Sequence, residues 1–182
     1  MSEHDTLTAQ FLAAVHREEA SMAGPRGMNQ ISVLCTQLLP VDRVAVMACT
    51  GEHWQMLGAS DTTAAGFAHL QVAAGEGPGP QAYLSDAPVL VPDFGTALAA
   101  GRWPLLAASA AGARSGGMFS FPLHRGAIRI GTLDLYTTAP ATLDTATFAA
   151  AVHLADLITL LLLASVDTDS AQSPPGGTQS AH

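Results

Sequence analysis

Two long strand patterns separated by three turn residues are the feature that most restricts the fold of this chain. Residues 114–124 and 128–137 are rich in apolar and β-branched side chains, and Arg125-Gly126-Ala127 lies between them. Strands so close in sequence pair as an antiparallel hairpin. Because successive side chains alternate between the faces of a strand, the second strand has two distinct faces. One face carries Leu133 and Leu135, and the other carries Thr132, Asp134 and Tyr136. We expect both faces to be covered.

Further strand patterns extend this sheet. Residues 41–49 and 53–59 flank a turn at 50–52, and the proline-bounded stretch 88–93 predicts one more short strand. Helical patterns occupy several other segments. They are 5–20, 27–39, 61–73, a proline-started helix after the glycine-rich turn 75–80, a helix that follows Trp103-Pro104 and ends at Gly112, and 144–163.

This order of elements predicts an α+β fold. A central antiparallel sheet of about five or six strands has the terminal helices on one face and the middle helices and loops on the other. We expect an N-terminal amphipathic helix in residues 1–24 and one domain in residues 25–166. Residues 167–182 combine Pro, Gly, Ser and acids without apolar periodicity, which predicts a disordered acidic tail.

Composition excludes several classes of function. The net charge is −8, and the 7 cations are all arginine. A nucleic-acid binder needs clustered cations to displace counterions from phosphates, so we expect no direct DNA or RNA binding. The two cysteines, Cys35 and Cys49, show neither a CxxC spacing nor a disulfide framework. The N-terminus lacks the pattern of a signal peptide, and together these features predict a cytoplasmic protein.

One apolar segment imitates a membrane span. Residues 148–166 are almost wholly apolar and about long enough to cross a bilayer. His153 and Asp156 interrupt the run, however, and no Lys or Arg follows Arg129 to anchor an end. We therefore expect a terminal helix of the domain, starting at Asp144, and no membrane association.

Several short motifs identify a family resemblance. They are Asp93 with Arg102-Trp103-Pro104, Arg114-Ser115, Phe121-Pro122-Leu123, and the run Gly131 to Tyr136. In this order they resemble the GAF domains of actinobacterial regulators, a small-molecule sensing fold that often precedes an RNA-binding ANTAR module. The resemblance implies a GAF-like domain over residues 25–166, in which Gly131 permits a close approach between elements. The basic ANTAR module would start near residue 165, but residues 167–182 carry no cation. We therefore expect output through a partner or through a dimer.

The residues do not favour catalysis or a bound cofactor. Catalytic GAF proteins that reduce free methionine sulfoxide need cysteines around the pocket, yet none follows Cys49. There is no GxSxG elbow, and Asp86, Asp93 and Asp134 are of a kind that usually serves turns or packing. The 7 histidines lack HxxxH spacing, so no metal site is expected, although His69 or His124 would be the candidates for a haem ligand. We predict a protein that is not an enzyme and holds no cofactor, with a haem or other redox or gas sensor as the alternative.

A non-covalent ligand site is the leading functional hypothesis, because binding sites combine apolar walls with a few polar groups. The apolar candidates are Phe67, Leu70, Tyr83, Phe94, Trp103 and Leu106, and the polar candidates are His69, Arg102, Ser109 and Arg114. The same residues could instead fill a closed core in a domain that serves as a platform for a protein partner. Both alternatives describe a stand-alone GAF-type domain in signal transduction or transcription control.

The terminal helices predict association. Residues 144–163 are apolar nearly all round, and such a helix must be covered on more than one side. Together with residues 5–20 it could form a helical bundle across a two-fold axis. We therefore expect a homodimer.

Overall fold

A computed structural model describes residues 2–17, 25–110 and 115–172, with side chains described from Arg26 in the second range and up to Val166 in the third. The helices are α1 (Glu3–Arg17), α2 (Pro25–Leu38), α3 (Thr62–Ala74), α4 (Pro78–Ser85), α5 (Phe94–Ala99), α6 (Pro104–Ser109) and α7 (Thr145–Gln172). The strands are β1 (Arg43–Thr50), β2 (His53–Ala59), β3 (Val89–Val91), β4 (Met118–Arg125) and β5 (Ile128–Tyr136).

The strands form one five-stranded sheet in the order β2-β1-β5-β4-β3, in which every neighbouring pair is antiparallel. The predicted hairpin is its centre. Phe121 of β4 lies opposite Leu133 of β5, which in turn lies opposite Val46 of β1. The predicted α+β class is therefore confirmed.

Alternation along the strands divides the interior into two cores. The first core lies between the sheet and helices α1, α2 and α7, where Leu133 and Leu135 meet Cys35 and Ile158. The second core lies between the other face of the sheet and helices α3 to α6. Its members include Ala45, Met47, Met118 and Tyr136 from the strands, with Phe67, Ala82, Phe94 and Leu106 from the helices. Both faces of the sheet are covered, as the strand pattern predicts.

Short polar side chains define where several helices begin. Asp61 accepts a hydrogen bond from Ala64 N at 2.7 Å and thereby caps α3, and Asp144 accepts from Thr147 N at 2.7 Å at the start of α7. Each satisfies a first-turn amide that has no partner within its own helix. The helix predicted over 61–73 is found, and Gly75 ends it in a left-handed conformation.

The structure differs from the sequence predictions in three places. Helix α5 was not predicted, because six residues are too few to show apolar periodicity. Residues 115–117 are irregular, so the strand predicted from residue 114 begins at Met118. Helix α7 continues to Gln172, beyond the predicted end at 163, and residues 167–172 of the predicted disordered tail are helical. Residues 18–20 of the first predicted helix, Gly112 and residues 173–182 lie outside the described part.

Candidate functional site

The predicted apolar walls converge on the second core and pack against one another. Phe67 stacks on Tyr136 with ring centroids 5.3 Å apart, and Phe94 stacks on Trp103 with centroids 6.5 Å apart. Leu106 is buried in the same cluster, whereas Leu70 lies half-buried at its edge. These residues therefore lie together, but their own side chains occupy the space that the sequence analysis assigned to a ligand.

Trp103 connects the helices that border this core. Its backbone is left-handed at φ 52°, which is uncommon for a bulky residue. The indole Nε1 donates a hydrogen bond to Gln81 Oε1 of α4 at 3.2 Å. The guanidinium carbon of Arg102 lies 4.2 Å from the ring centroid, within cation–π range. Trp103 is thus held by α4, by Phe94 and by Arg102.

Tyr83 contacts a different neighbour from the other predicted walls. It lies half-buried on α4, and its ring meets Trp54 of β2 edge-on with centroids 5.2 Å apart. Burial, and then a hydrogen bond with Cys49, raise the pKa of the Tyr83 hydroxyl. Tyr83 therefore packs against the adjoining ends of β1 and β2, where Cys49 and Trp54 lie.

The predicted polar candidates are not brought into the second core. His69 is exposed on α3, and Arg102 is exposed above Trp103. The Ser109 hydroxyl donates to Leu105 O within its own helix at 3.1 Å. Arg114 lies outside the described residues.

A buried polar cluster that sequence reasoning missed lies beneath these walls. Gln71 of α3 is 1% exposed and Asp134 of β5 is 2% exposed. Gln71 Nε2 donates long hydrogen bonds of 3.4 Å to Asp134 Oδ2 and to the Tyr136 hydroxyl. Asp134 Oδ1 and Thr132 Oγ1 are also buried, and neither has a hydrogen-bond partner among the described residues. The strand alternation places Asp134 on this face, but its burial depends on α3 and α4.

The environment of Asp134 disfavours its charged form. Burial raises the pKa of this carboxyl from 3.8 to about 6, because an ion loses hydration in a low-dielectric interior. The nearby side chains of Ser120, Thr132, Gln71 and Tyr136 oppose the rise. Gln71 and Tyr136 donate long hydrogen bonds to Oδ2, whereas no described side chain completes one to Oδ1. Asp134 can therefore accept or release a proton near pH 6, unlike an ordinary aspartate.

The glycine-rich turn covers this cluster. Gly79 N donates a 2.8 Å hydrogen bond to Gln71 Oε1. A β-carbon on Gly79 would stand 3.0 Å from Asp134 Oδ2 and 3.2 Å from Gln71 Oε1, so only a glycine fits without displacing a neighbour. The turn feeds α4 with Pro78 in its first turn, as the sequence predicts. It acts as a close-packed cover over Asp134.

Asp93, Asp86 and His124 have local roles. Asp93 caps α5 by accepting from Thr96 N at 3.0 Å, and Asp86 ends α4 in a left-handed conformation. His124 Nδ1 lies 3.3 Å from Asp86 Oδ1, close enough for an ion pair although the angles are not those of a hydrogen bond. Over the described ranges, no three His, Cys, Asp or Glu side chains form a group that could hold a metal ion.

Comparison with solved structures shows which known fold this architecture resembles. The chain is similar to the GAF domain of a phosphoenolpyruvate-protein phosphotransferase from Coxiella burnetii, with a TM-score of 0.67 and 15% identity over 93% of this chain and 99% of that chain. The fold is that of a GAF domain. The cyanobacteriochrome TePixJ GAF domain matches with a TM-score of 0.59 and 15% identity over 79% of this chain and 91% of that chain.

A GAF-fold enzyme is also similar. The free methionine-R-sulfoxide reductase from Neisseria meningitidis, solved in complex with its substrate, matches with a TM-score of 0.61 and 13% identity. The match covers 92% of this chain and 95% of that chain. The sequence matches no protein-family model and no curated protein. At these identities the comparisons establish the GAF fold and leave the activity open.

The two cysteines lie at different places in this GAF fold. Cys35 belongs to the first core, across the sheet from Asp134, and is 0% exposed. Burial raises the pKa of the Cys35 thiol to about 12, which suppresses the nucleophilic thiolate. Cys49 is 7% exposed near the end of β1, where its thiol lies 3.5 Å from Gly51 O.

Neither of two sizeable cavities coincides with the predicted pocket. A cavity of about 650 Å³ opens between α1, α2, β2 and the start of α3. Its walls include Val15, Asn29, Leu34, Met56 and Asp61. A second cavity of about 380 Å³ lies between α1, the end of α2 and the start of α7. The first cavity therefore lies at the β2 edge of the sheet, and the second lies among the terminal helices. Asp134 lines neither of them.

Proposed function

We propose that this chain is a cytoplasmic GAF-type sensory or regulatory domain that binds a small molecule and performs no reaction. The GAF fold supports the regulatory role. The observation that carries the ligand hypothesis is the buried Asp134 carboxylate, whose Oδ1 atom has no hydrogen-bond partner among the described residues. A polar atom left without a partner in an interior costs free energy. A ligand that donates a hydrogen bond to Oδ1 would remove that cost.

The chemistry of the site restricts the ligand. Asp134 favours a ligand with a cationic or neutral N–H or O–H donor, and the unpartnered Thr132 hydroxyl offers a second polar contact. Phe67, Met118 and Tyr136 favour an apolar body. Because Gly79 and Gln71 press against Asp134, the ligand must displace the glycine-rich turn and the start of α4. This displacement is the structural change that binding would transmit.

Native mass spectrometry of protein purified from its own host tests this proposal. The wild-type protein is expected to retain a small molecule, and Asp134→Ala is expected to lose it. Asp144→Ala is the matched control, because it removes a carboxylate that caps α7 on the other side of the sheet. A wild-type spectrum without added mass, or equal retention by Asp134→Ala, would contradict the proposal.

The sequence resemblance to the GAF part of actinobacterial GAF-ANTAR regulators supports a role in transcription control. In that role, output passes to a protein partner or through a second subunit. The filled second core supports a variant of this proposal, in which the domain has lost its ligand and acts as a partner platform. Absence of any retained ligand together with a co-purifying regulator would favour that variant.

The similarity to a methionine sulfoxide reductase supports one alternative. Thiol-dependent turnover of free methionine-R-sulfoxide by the purified protein would establish it, and Cys35→Ser and Cys49→Ser would report which thiol acts. A haem or other cofactor-bearing sensor is the other alternative. A visible absorption band in the purified protein would identify it.

A further inference from the structure

The cavity at the β2 edge of the sheet has the size of a small-molecule site. Its volume of about 650 Å³ lies within the roughly 300–1,000 Å³ of ligand pockets. Four elements supply its walls: the last turn of α1, one face of α2, strand β2 and the first turn of α3. Asp134 is not among these wall residues, so this edge cavity is separate from the ligand site proposed above.

The apolar part of the wall comes from the margins of both cores. Val15 and Leu34 border the first core, and Met56 and Ala65 border the second. All four side chains are half-buried. Val33 also lines the edge cavity, but it is 39% exposed and belongs to neither core. Apolar walls without atoms against them lack dispersion contacts, which an apolar ligand would supply.

Contacts between α2 and β2 form this wall without a ligand. Asn29 Oδ1 accepts a hydrogen bond from Ala59 N at 2.9 Å, which ties the first half of α2 to the end of β2. A β-carbon on Gly58 would collide with the backbone of Met28, so the two elements approach closely there. The α2 and β2 sides of the edge cavity are therefore fixed by the fold.

The polar part of the wall is rich in hydrogen-bond donors. Gln30 and Gln37 lie two turns apart on one face of α2, and both line the edge cavity. Their amide groups have no hydrogen-bond partner among the described residues, and the same holds for Asn29 Nδ2. A ligand that accepts hydrogen bonds would satisfy these donors.

The charges of the wall favour an anionic ligand. Arg17 ends α1 at the edge cavity and has no ion-pair partner among the described residues. Asp61, the one carboxylate among the described wall residues, is already engaged, because it accepts from Arg43 Nε at 2.9 Å and from Ala64 N at 2.7 Å. A cationic ligand would therefore meet no free carboxylate, whereas an anion would meet the Arg17 guanidinium.

We infer that the edge cavity binds an amphiphilic carboxylic acid, with its apolar body between α1, α2 and β2 and its carboxylate at Arg17 and the α2 amides. A carboxylate only accepts hydrogen bonds, and it bonds strongly to a guanidinium. The volume favours a small molecule over a partner helix. A helix about 10 Å wide would fit only about 8 Å of its length, or roughly five residues, into this space.

Isothermal titration calorimetry with dodecanoate, kept below its micelle-forming concentration, tests this site. We expect the wild-type chain to bind one dodecanoate and to bind dodecyltrimethylammonium, which has the same chain but a cationic head, more weakly. Arg17→Gln is expected to weaken dodecanoate binding by about fivefold and to remove this preference, since Arg17 is exposed. Val33→Trp fills the edge cavity and is expected to weaken dodecanoate binding by about tenfold or more.

Leu84→Trp is the matched control for Val33→Trp, because Leu84 is a 71% exposed apolar residue on α4, and it should bind as the wild type does. Asp134→Ala should also bind dodecanoate normally. Loss of binding in that variant would place the acid in the second core and overturn the inference. A failure of the proposed Asp134 site, by contrast, would leave dodecanoate binding unchanged.

Ala14→Phe blocks the edge cavity from α1 as a second variant, and circular dichroism establishes that each variant is folded. A wild type that does not bind dodecanoate would overturn the inference, as would normal binding by both Val33→Trp and Ala14→Phe. Equal affinity of the wild type for the anionic and cationic amphiphiles would overturn the assignment of a carboxylate to Arg17.

Discussion

The backbone of Gly79 lies directly against the buried carboxylate of Asp134. A β-carbon at residue 79 would stand 3.0 Å from Oδ2 and 3.3 Å from Oδ1 of Asp134. The glycine-rich turn and the acid of β5 therefore form one unit, although they are far apart in the chain. The turn resembles a phosphate loop only in composition, since Gly79 faces a carboxylate.

Gly79→Ala is expected to destabilise the domain by about 1–3 kcal/mol, because the added methyl group overpacks a site from which Asp134 and Gln71 cannot easily withdraw. The urea-unfolding midpoint measures this loss. Gly66→Ala is the control, since no atom lies within 4 Å of a β-carbon there, and it should stabilise α3 by about 0.5–1 kcal/mol. The cost of Gly79→Ala should shrink in an Asp134→Ala background, and full additivity would show that the two residues are not coupled.

Asp134→Asn is expected to change the pH dependence of stability. The carboxyl has a pKa of about 6 when folded and 3.8 when unfolded, so the folded state holds its proton more tightly. The free energy of unfolding of the wild type should therefore fall as pH rises from about 4 to about 6, by up to about 3 kcal/mol from this group. Thermal unfolding across this range should show the slope in the wild type and a reduced slope in Asp134→Asn.

Asp144→Asn is a control, because Asp144 changes the free energy of unfolding with pH in the opposite direction to Asp134. A hydrogen bond from Thr147 N lowers the pKa of the Asp144 carboxyl, so its contribution is present above the unfolded pKa and is lost as pH falls through the folded value. An unchanged slope between about pH 4 and pH 6 in Asp134→Asn would contradict the assignment of that slope to residue 134.

Gly131→Ala is expected to prevent folding. A β-carbon at residue 131 would collide with Met47 O, inside the β1–β5 pairing, and backbone cannot move aside in a central strand. We expect a loss of more than about 3 kcal/mol, seen as a collapse in soluble yield and in the urea midpoint. Gly95→Ala makes only an ordinary contact of 3.5 Å and should leave both measurements nearly unchanged. Normal yield of Gly131→Ala would show that β1 and β5 separate more easily than their pairing indicates.

Asp61→Ala is expected to cost about 1 kcal/mol, because the carboxylate caps α3. The same carboxylate accepts a 2.9 Å hydrogen bond from Arg43 Nε, which ties α3 to β1. Asp61→Asn keeps a capping oxygen but removes the charge, so it should cost less if the cap matters more than the exposed ion pair. Chemical unfolding of the two variants separates these contributions, and equal losses would assign the effect to the ion pair.

Much of the fold could be predicted from short stretches of the sequence. The β4–β5 hairpin and the alternation of Leu133 and Asp134 could be predicted, because each depends on neighbours in the chain. The close approach at Gly131 was implied by the family resemblance. Helix α5 was missed because its six residues show no period, and only the Asp93 cap marks its start.

Much less of the candidate site could be predicted from the sequence. Phe67, Phe94, Trp103 and Leu106, predicted as the walls of a ligand site, lie together in the second core, since apolar residues on one side of a sheet must meet. Sequence reasoning assigned Asp134 to turns or packing, and it gave Gln71 no role. The polar candidates are exposed: His69 lies on α3, Arg102 precedes α6, and Ser109 ends α6. Their exposure depends on how α3 and α6 pack on the sheet, which no linear pattern shows.

Sequence alone determined the α+β class and the two faces of the sheet, since both follow from hydrophobic periodicity along single segments. Only the tertiary structure decided that the second core is filled, that the glycine-rich turn covers Asp134, and that this carboxyl has a pKa of about 6. These properties depend on segments that come from distant parts of the chain. The burial and the proton affinity of Asp134 depend on all of these segments together, so no single segment of the sequence predicts them.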